Sequence, residues 1–352
     1  MKPQVNPKMV VLGRESRGLT QSELATKVGA SQARISKIEA GLLPLSDEML
    51  KTLSSALDYP EHFFFQDEDL YGIGTSILFH RKKETISIKT LNKIHAMVNI
   101  RRFHVAKMLK AAEIEPAKSF PKFDIDEFDG QAENVALAVR ASWVLPKGPI
   151  QNVTKAIEDA GGIIIKCDFD TRKIDAISQW ITGLPPLFFV NAGVPGDRMR
   201  FSLAHELGHV IMHRTVNADL EDQANRFAAS FLMPADDIRH SLSEITVPKL
   251  AILKPYWKVS MGALLKRAAK LGKITERQER YIWMQFSKAG YRLREPPELD
   301  IPAEQPRLLN KLIDLHRTRL QYSIAEFSHL IALREKEVKA IYLGQPNSLR
   351  LV

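Results

Sequence analysis

The sequence predicts an α+β fold that is mostly α-helical and divided into several domains. Apolar residues recur at three- and four-residue spacing along most of the chain, which is the pattern of helices with one buried face. Three short runs, at residues 163–165, 174–180 and 187–190, have the β-branched and apolar composition of strands. A length of 352 residues with 45% hydrophobic content is enough for two or three separate cores.

Composition narrows the function classes. The single cysteine, Cys167, excludes a disulfide framework and suits a reducing compartment. The sequence contains no apolar segment of the kind found in signal peptides or membrane-spanning helices. We therefore expect a cytoplasmic protein with no membrane partner. The formal net charge of +9 favours a polyanionic partner.

Positive charge is concentrated between Arg81 and Lys110. This stretch contains nine Lys and Arg residues and only one acid, Glu84. From residue 88 to residue 112 the apolar positions follow helical spacing. Two interpretations of this basic connector are open. It is either a solvated helix face or a surface that follows phosphate groups.

A metal-binding pattern lies near the middle of the chain. His205, Glu206 and His209 form a His-Glu-x-x-His motif in an apolar-periodic run that predicts a helix. Histidines four residues apart share one helix face, so both can reach one zinc ion, and Glu206 can take a proton from its water. The alternative is a pair of hydrogen-bonded core histidines. His213 lies eight residues from His205, about 12 Å along the axis, and is expected to contact the site or the core rather than the ion.

The third ligand is expected on the next predicted helix, which runs from Glu221 and is stopped by Pro234. Glu221 falls on the apolar face of that helix, whereas Asp222 falls on the polar face. A carboxylate in an apolar environment needs a cation, which makes Glu221 the better ligand candidate. The alternative is an ordinary ion pair with Arg198 or Arg200.

These two helices closely resemble the ImmA/IrrE family of metallopeptidases. The resemblance covers residues 197–234 without a gap and includes the run Glu-x-x-Ala-Asn-x-Phe-Ala-Ala that begins at Glu221. It implies a small gluzincin-like zincin domain whose typical target is a repressor protein. It also implies the roles of four residues, with zinc bound by His205, His209 and Glu221 and with Glu206 as the catalytic base.

A small sheet commonly lies beside the motif helix in zincin domains, and its edge strand can pair with an extended peptide. The run from Leu187 to Asn191 lies closest in sequence to the motif. Whether that run forms the edge of the sheet is open.

The N-terminal residues predict a helical DNA-binding module. Thr20 and Ser31 have the positions of helix caps, and Gly29 lies at the turn between the two helices. The segment from Arg14 to Gly41 resembles the XRE-type, lambda-repressor-like helix-turn-helix domains. In such a fold the helix after the turn enters the major groove. The expected contacts with DNA are Gln32, Ala33, Arg34 and Ser36 at base edges, and Gln21 and Lys37 at the phosphates. The alternative is a helical hairpin used only for protein contacts.

The C-terminal residues predict a degenerate second copy of this module. Residues 20–41 and 323–344 align without gaps, and their apolar positions keep the same register, as where Phe327 matches Leu24. Proline-rich residues 295–306 are expected to form a stiff linker before the copy.

The second copy differs from the first at the positions that would face DNA. Where the first copy has Gln32 and Arg34, the second has Glu335 and Glu337. Carboxylates would repel phosphates, so we expect the copy to pack against protein. Its partner is either a second chain or another part of the same chain, with the basic stretch from Arg81 to Lys110 as the complementary surface.

The sequence thus predicts a DNA-binding transcriptional regulator with a zinc-dependent endopeptidase that cleaves a repressor or partner protein. The alternative is a repressor or antitoxin-like protein whose zincin domain is a non-catalytic scaffold or sensor. An intact Glu206 favours the first, because a scaffold has no need of it. The expected partners are a double-stranded DNA operator, a protein or peptide substrate and a second copy of the chain in a homodimer. The predicted segments are residues 1–66 (helix-turn-helix), 67–120 (basic connector), 121–240 (peptidase), 241–300 (helical region) and 301–352 (second copy).

Overall fold

The computed structural model of the chain describes residues 4–72, 86–112, 114–213 and 219–344. The chain is 58% helical and has a small three-stranded sheet, which confirms the predicted fold class. Within the described ranges, no helix is long and apolar enough to cross a membrane.

The chain forms two compact units. The first unit contains the described residues of 1–73, 84–114 and 308–352, and the second contains those of 115–307. This division cuts across the predicted segments. The connector helix and the second copy from residue 308 onward join the first unit, whereas residues 115–120 and 301–307 join the second.

The first unit begins with four helices whose ends follow the predicted caps. They are α1 (Pro7–Ser16), α2 (Gln21–Val28), α3 (Gln32–Glu39) and α4 (Asp47–Leu57). Thr20 and Glu23 form a reciprocal capping box at the start of α2. Gly29 ends α2 with a φ of +67°, a left-handed conformation that costs glycine little, and the Ser31 side chain caps α3. A 3₁₀ turn, Glu61–Phe65, then places Phe63 and Phe64 in the core.

Helix α5 (Ile88–Leu109) carries most of the predicted basic stretch, but several of its charges are used inside the unit. Lys89 forms an ion pair with Glu23, at 2.8 Å between Nζ and Oε1. Arg102 is buried and donates to the backbone oxygen of Asp69. Lys107 donates to the Gln66 side chain at 2.6 Å. Arg102 and Lys107 therefore fit neither a solvated face nor a phosphate surface, whereas the Lys89 side chain remains half exposed. Residues 81–83 lie outside the described residues.

The second unit is built from helices around the small sheet. Its elements are α6 (Ala132–Ser142), α7 (Val153–Asp159), β1 (Ile163–Cys167), β2 (Ala176–Gln179), β3 (Leu187–Asn191), α8 (Gly196–Met212), α9 (Leu220–Leu232), α10 (Ala235–Ile238), α11 (Val247–Trp257), α12 (Met261–Lys270) and α13 (Glu276–Lys288). Two 3₁₀ turns, Ile125–Phe128 and Pro297–Leu299, complete it.

Strand β3 is the centre of the sheet, so the run closest in sequence to the motif does not form an edge. It pairs in parallel with β1, Leu187 opposite Ile163, and antiparallel with β2, Val190 opposite Ala176. The edge strand β2 packs against α8, and all four of its residues are buried. Helix α8 also packs against α9, where Gly208 allows the Phe227 ring to approach closely.

Residues 301–307, which include part of the predicted stiff linker, are packed against the start of α8. A Cβ at Gly196 would overlap the backbone oxygens of Ile301 and Pro302. Glu304 forms a buried ion pair with Arg200 and accepts the backbone N–H of Val153 and Thr154 at the start of α7. The Pro-rich composition could not show that the segment has acceptors for buried donors.

The chain then returns to the first unit through α14 (Leu308–Asp314), a π turn (Leu315–Arg319), α15 (Ile324–Ile331), α16 (Glu335–Val338) and a second π turn (Lys339–Leu343). Helix α15 starts in a Ser323 and Glu326 capping box, and it ends at Ala332 with a φ of +53°. The first copy has its own capping box and Gly29 at the matching positions.

The second copy packs against its own chain, in part through the basic helix, since α15 contacts α5 and the Arg101 guanidinium lies over the Tyr342 ring. The Glu337 carboxylate, however, forms its ion pair outside that helix. The Glu337 carboxylate receives two hydrogen bonds from Arg17, of 2.6 and 3.0 Å. Arg334 forms an ion pair with Asp58 at 2.9 Å. These contacts lie at the ends of α1 and α4, within the first unit.

Because Phe327 in α15 is fully buried, we expect Phe327→Ala to lower the free energy of unfolding of the first unit by about 3–5 kcal/mol. Leu320→Ala is the matched control, since Leu320 belongs to the same segment and is 40% exposed. Its expected effect is within about 0.5 kcal/mol. Urea denaturation of the full chain measures both. If the free energy of unfolding changes as little for Phe327→Ala as for Leu320→Ala, the C-terminal segment does not contribute to the stability of the first unit.

Candidate functional site

Helices α8 and α9 bring the three predicted metal ligands together. The Nε2 atoms of His205 and His209, one turn apart on α8, lie 3.0 Å from each other. Glu221 in the first turn of α9 places Oε2 at 3.5 Å from His205 Nε2 and Oε1 at 3.3 Å from His209 Nε2. All three ligand atoms lie within 4.8 Å of one another.

This group fits a zinc ion. Two imidazole nitrogens and one carboxylate oxygen form the donor set of catalytic zinc sites, which leave one position open for water. Glu221 Oε1 is buried and accepts no well-formed hydrogen bond, although it faces two imidazoles. A buried carboxylate oxygen in that state is costly unless a cation is nearby. Among the described residues, His205, His209 and Glu221 are the one such group of three.

The competing explanation for Glu221, an ion pair with arginine, does not match the contacts. Arg198 pairs with Asp175 at 2.5 Å, and Arg200 pairs with Glu304. Asp222, the neighbouring acid, has a side chain that is 72% exposed and lies 3.8 Å from Arg226. The two acids therefore point as the helix-face argument predicted.

In the first unit, α3 presents the predicted DNA-contacting residues to solvent. Gln32, Ala33, Arg34 and Lys37 are exposed and Ser36 is half-buried, while Ile35 and Ile38 on the opposite face are buried.

A hydrogen-bond chain fixes one end of this surface. Gln32 donates to the Gln21 side chain at 2.8 Å, Gln21 donates to Glu39 at 2.8 Å, and Glu39 forms an ion pair with Arg14 at 2.6 Å. Gln21 and Gln32 are therefore joined before any DNA is bound.

Comparison with known families agrees with both resemblances. Residues 157–269 match the model of the IrrE N-terminal-like domain, and residues 13–64 match that of the helix-turn-helix domain. The chain joins a helix-turn-helix domain to an IrrE-like domain. The matched IrrE-like family is one of zinc metallopeptidases, and the helix-turn-helix family supports DNA binding. No curated protein matches the chain.

In the IrrE-like domain, Glu206 is held by a residue that the sequence did not indicate. Glu206 is 2% exposed, and the Ser178 hydroxyl donates to its Oε2 at 2.6 Å. Ser178 belongs to the edge strand β2, which packs against α8. A single serine 28 residues before Glu206 carries no spacing signal, so only the fold could reveal this contact.

The charges in the IrrE-like site support one another. Burial would raise the pKa of Glu221, but the contacts with the His205 and His209 imidazoles lower it far below its usual range. Burial would lower the pKa of His205, but the contact with Glu221 and the charge of Glu206 outweigh burial and raise it. Burial and the nearby His209 lower the pKa of His213 to about 4. Glu221 is therefore anionic and His213 neutral near pH 7.

Both imidazoles of the IrrE-like site also have partners on their outer sides. His205 Nδ1 lies 3.2 Å from Asn225 Oδ1. His209 Nδ1 lies 2.8 Å from His213 Nδ1, and His213 Nε2 lies 3.0 Å from Gln223 Oε1. The sequence predicted a site or core contact for His213, and the structure places it against a predicted ligand. No sequence pattern had indicated that Asn225 or Gln223 would contact the histidines.

Proposed function

We propose that this chain is a DNA-binding transcriptional regulator whose IrrE-like domain is a zinc-dependent endopeptidase. The observation that carries the proposal is the convergence of His205, His209 and Glu221 on one point. Glu206 lies next to His205 in α8. The substrate we propose is a repressor or other partner protein.

A bound zinc ion would supply Lewis-acid activation of water and of the scissile carbonyl. His205, His209 and Glu221 are the residues that would hold it. Glu206 accepts the proton of the attacking water and delivers it to the leaving amide nitrogen. Ser178 keeps the Glu206 carboxylate in place through its hydrogen bond.

Metal content tests this proposal. We expect the purified wild-type chain to bind about one zinc per molecule and the His205→Ala variant to bind none, because two remaining ligands do not complete a catalytic site. Elemental analysis of both proteins gives the answer. A wild-type chain that takes up no zinc would instead favour the non-catalytic scaffold.

The helix-turn-helix domain is proposed to bind an operator as a homodimer, with half-sites about one helical turn apart, since one module covers few base pairs.

Arg34→Ala should weaken specific binding by about 1–3 kcal/mol and relax sequence preference, because Arg34 is exposed on α3 and can contact a base edge. Lys37→Ala is the comparison and should weaken all sequences alike. Titration with operator and random duplexes at one salt concentration measures both. Equal losses on both duplexes for Arg34→Ala would remove Arg34 from the base-reading residues.

A further inference from the structure

The outer contacts of the two histidines form two separate branches. One branch runs from His209 through His213 to Gln223 and connects the end of α8 to the first turns of α9. The other runs from His205 to Asn225. Both histidines face each other and Glu221 through Nε2, so both branches begin at Nδ1.

A histidine can bind a metal through Nε2 only if that nitrogen carries no proton. In a neutral imidazole the proton then lies on Nδ1, which must find an acceptor when it is buried. In each branch, the order of donor and acceptor atoms therefore decides whether the histidine Nε2 atom is free to bind a metal.

The Asn225 branch has a fixed direction. The Asn225 amide N–H donates to the backbone oxygen of Glu221 at 2.7 Å, so its oxygen faces His205. His205 Nδ1–H donates to that oxygen, and His205 Nε2 is left free. The same amide ties the His205 side chain to the backbone of a second predicted ligand.

In the His213 branch, as in the Asn225 branch, the ligand histidine donates a hydrogen bond through Nδ1–H. Gln223 Oε1 is only an acceptor, so His213 Nε2 carries the proton and donates to it. His213 Nδ1 is then the acceptor for His209 Nδ1–H, and His209 Nε2 is left free.

We propose that His213 and Asn225 are positioning residues that orient the two imidazole ligands and keep their Nε2 atoms unprotonated for zinc. This inference rests on the proposed metal site. His213 is the more important of the two, because it is half-buried next to the buried His209, whereas Asn225 is exposed and water can replace it. Removing such partners typically lowers metal affinity by 10–100-fold.

The test is the zinc dissociation constant of the full chain, measured by competition with a chromophoric chelator. His213→Leu fills the space without an acceptor, and we expect it to weaken zinc binding by about 10–100-fold. His213→Asn offers an amide oxygen near the position of Nδ1 and should restore most of the affinity. Asn225→Ala should weaken binding by less than His213→Leu. Asp222→Asn is the control on the same helix and should leave affinity unchanged, because Asp222 is exposed and does not contact the histidines.

Two results would overturn the inference while the metal site stands. In one, the wild type binds zinc and His213→Leu binds it equally well. In the other, His213→Leu and His213→Asn lose the same affinity, which would assign His213 a packing role. A wild-type chain that binds no zinc would overturn the proposed function, and this inference with it.

Discussion

Glu206→Gln should leave zinc bound and abolish peptide cleavage. The glutamine side chain has almost the same size and can still accept the Ser178 hydrogen bond, so the surroundings of α8 are preserved. An amide cannot accept the proton of the attacking water, and loss of such a general base typically costs 10²–10⁴-fold in rate. Zinc content and the cleavage rate of one substrate, measured on wild type and variant side by side, test this expectation.

Glu276→Gln is the matched control for this variant. Glu276 is an exposed acid at the start of α13 in the same unit, and the same chemical change there should alter neither zinc content nor rate. If Glu206→Gln cleaves as fast as wild type, Glu206 is not the base. If it loses zinc as well as activity, its role is structural.

The second large effect is expected for Glu221→Gln, which should lower zinc affinity by more than about 100-fold. Loss of a direct ligand should exceed the 10–100-fold that outer partners contribute. Here the replacement also removes the negative charge that the histidines contact at 3.3 and 3.5 Å. The dissociation constant, measured by chelator competition, gives the magnitude.

Asp222→Asn is the control for Glu221→Gln, because it makes the same change at the next residue. The Asp222 side chain is 72% exposed and lies near Arg226 rather than the histidines. Loss of zinc in Asp222→Asn, with zinc retained in Glu221→Gln, would refute the assignment of the third ligand.

The sequence was most informative where the determinants are local. Thr20, Gly29 and Ser31 define the helix-turn-helix because caps and left-handed turns depend on a few neighbouring residues. His205 and His209 were predicted to share a face because four-residue spacing fixes that relation within one helix.

The sequence was least informative about partners that are distant along the chain. The charge count between Arg81 and Lys110 suggested a surface, but Arg102 and Lys107 are bound by acceptors at Asp69 and Gln66. No count of charges can show which backbone oxygens a fold brings near them.

The order of the strands in the sheet could not be predicted from the sequence either. Strand β3 precedes the motif helix directly, yet it is central, because β1 pairs with it in parallel and β2 pairs on its other side. The edge strand β2 supplies Ser178, whose contact with Glu206 depends on that order. A short strand of four residues has no sequence feature that specifies its neighbour.

The most direct test of a working endopeptidase in this chain is to add the zinc-loaded protein to a native extract of the cells that produce it. New peptide termini are then identified by mass spectrometry, with Glu206→Gln and a chelator-treated sample as parallel controls. We predict new termini with the wild type alone, in one or a few proteins. A wild-type chain that holds one zinc per molecule and yields no termini beyond those of Glu206→Gln would contradict the endopeptidase and favour a zinc-bound scaffold.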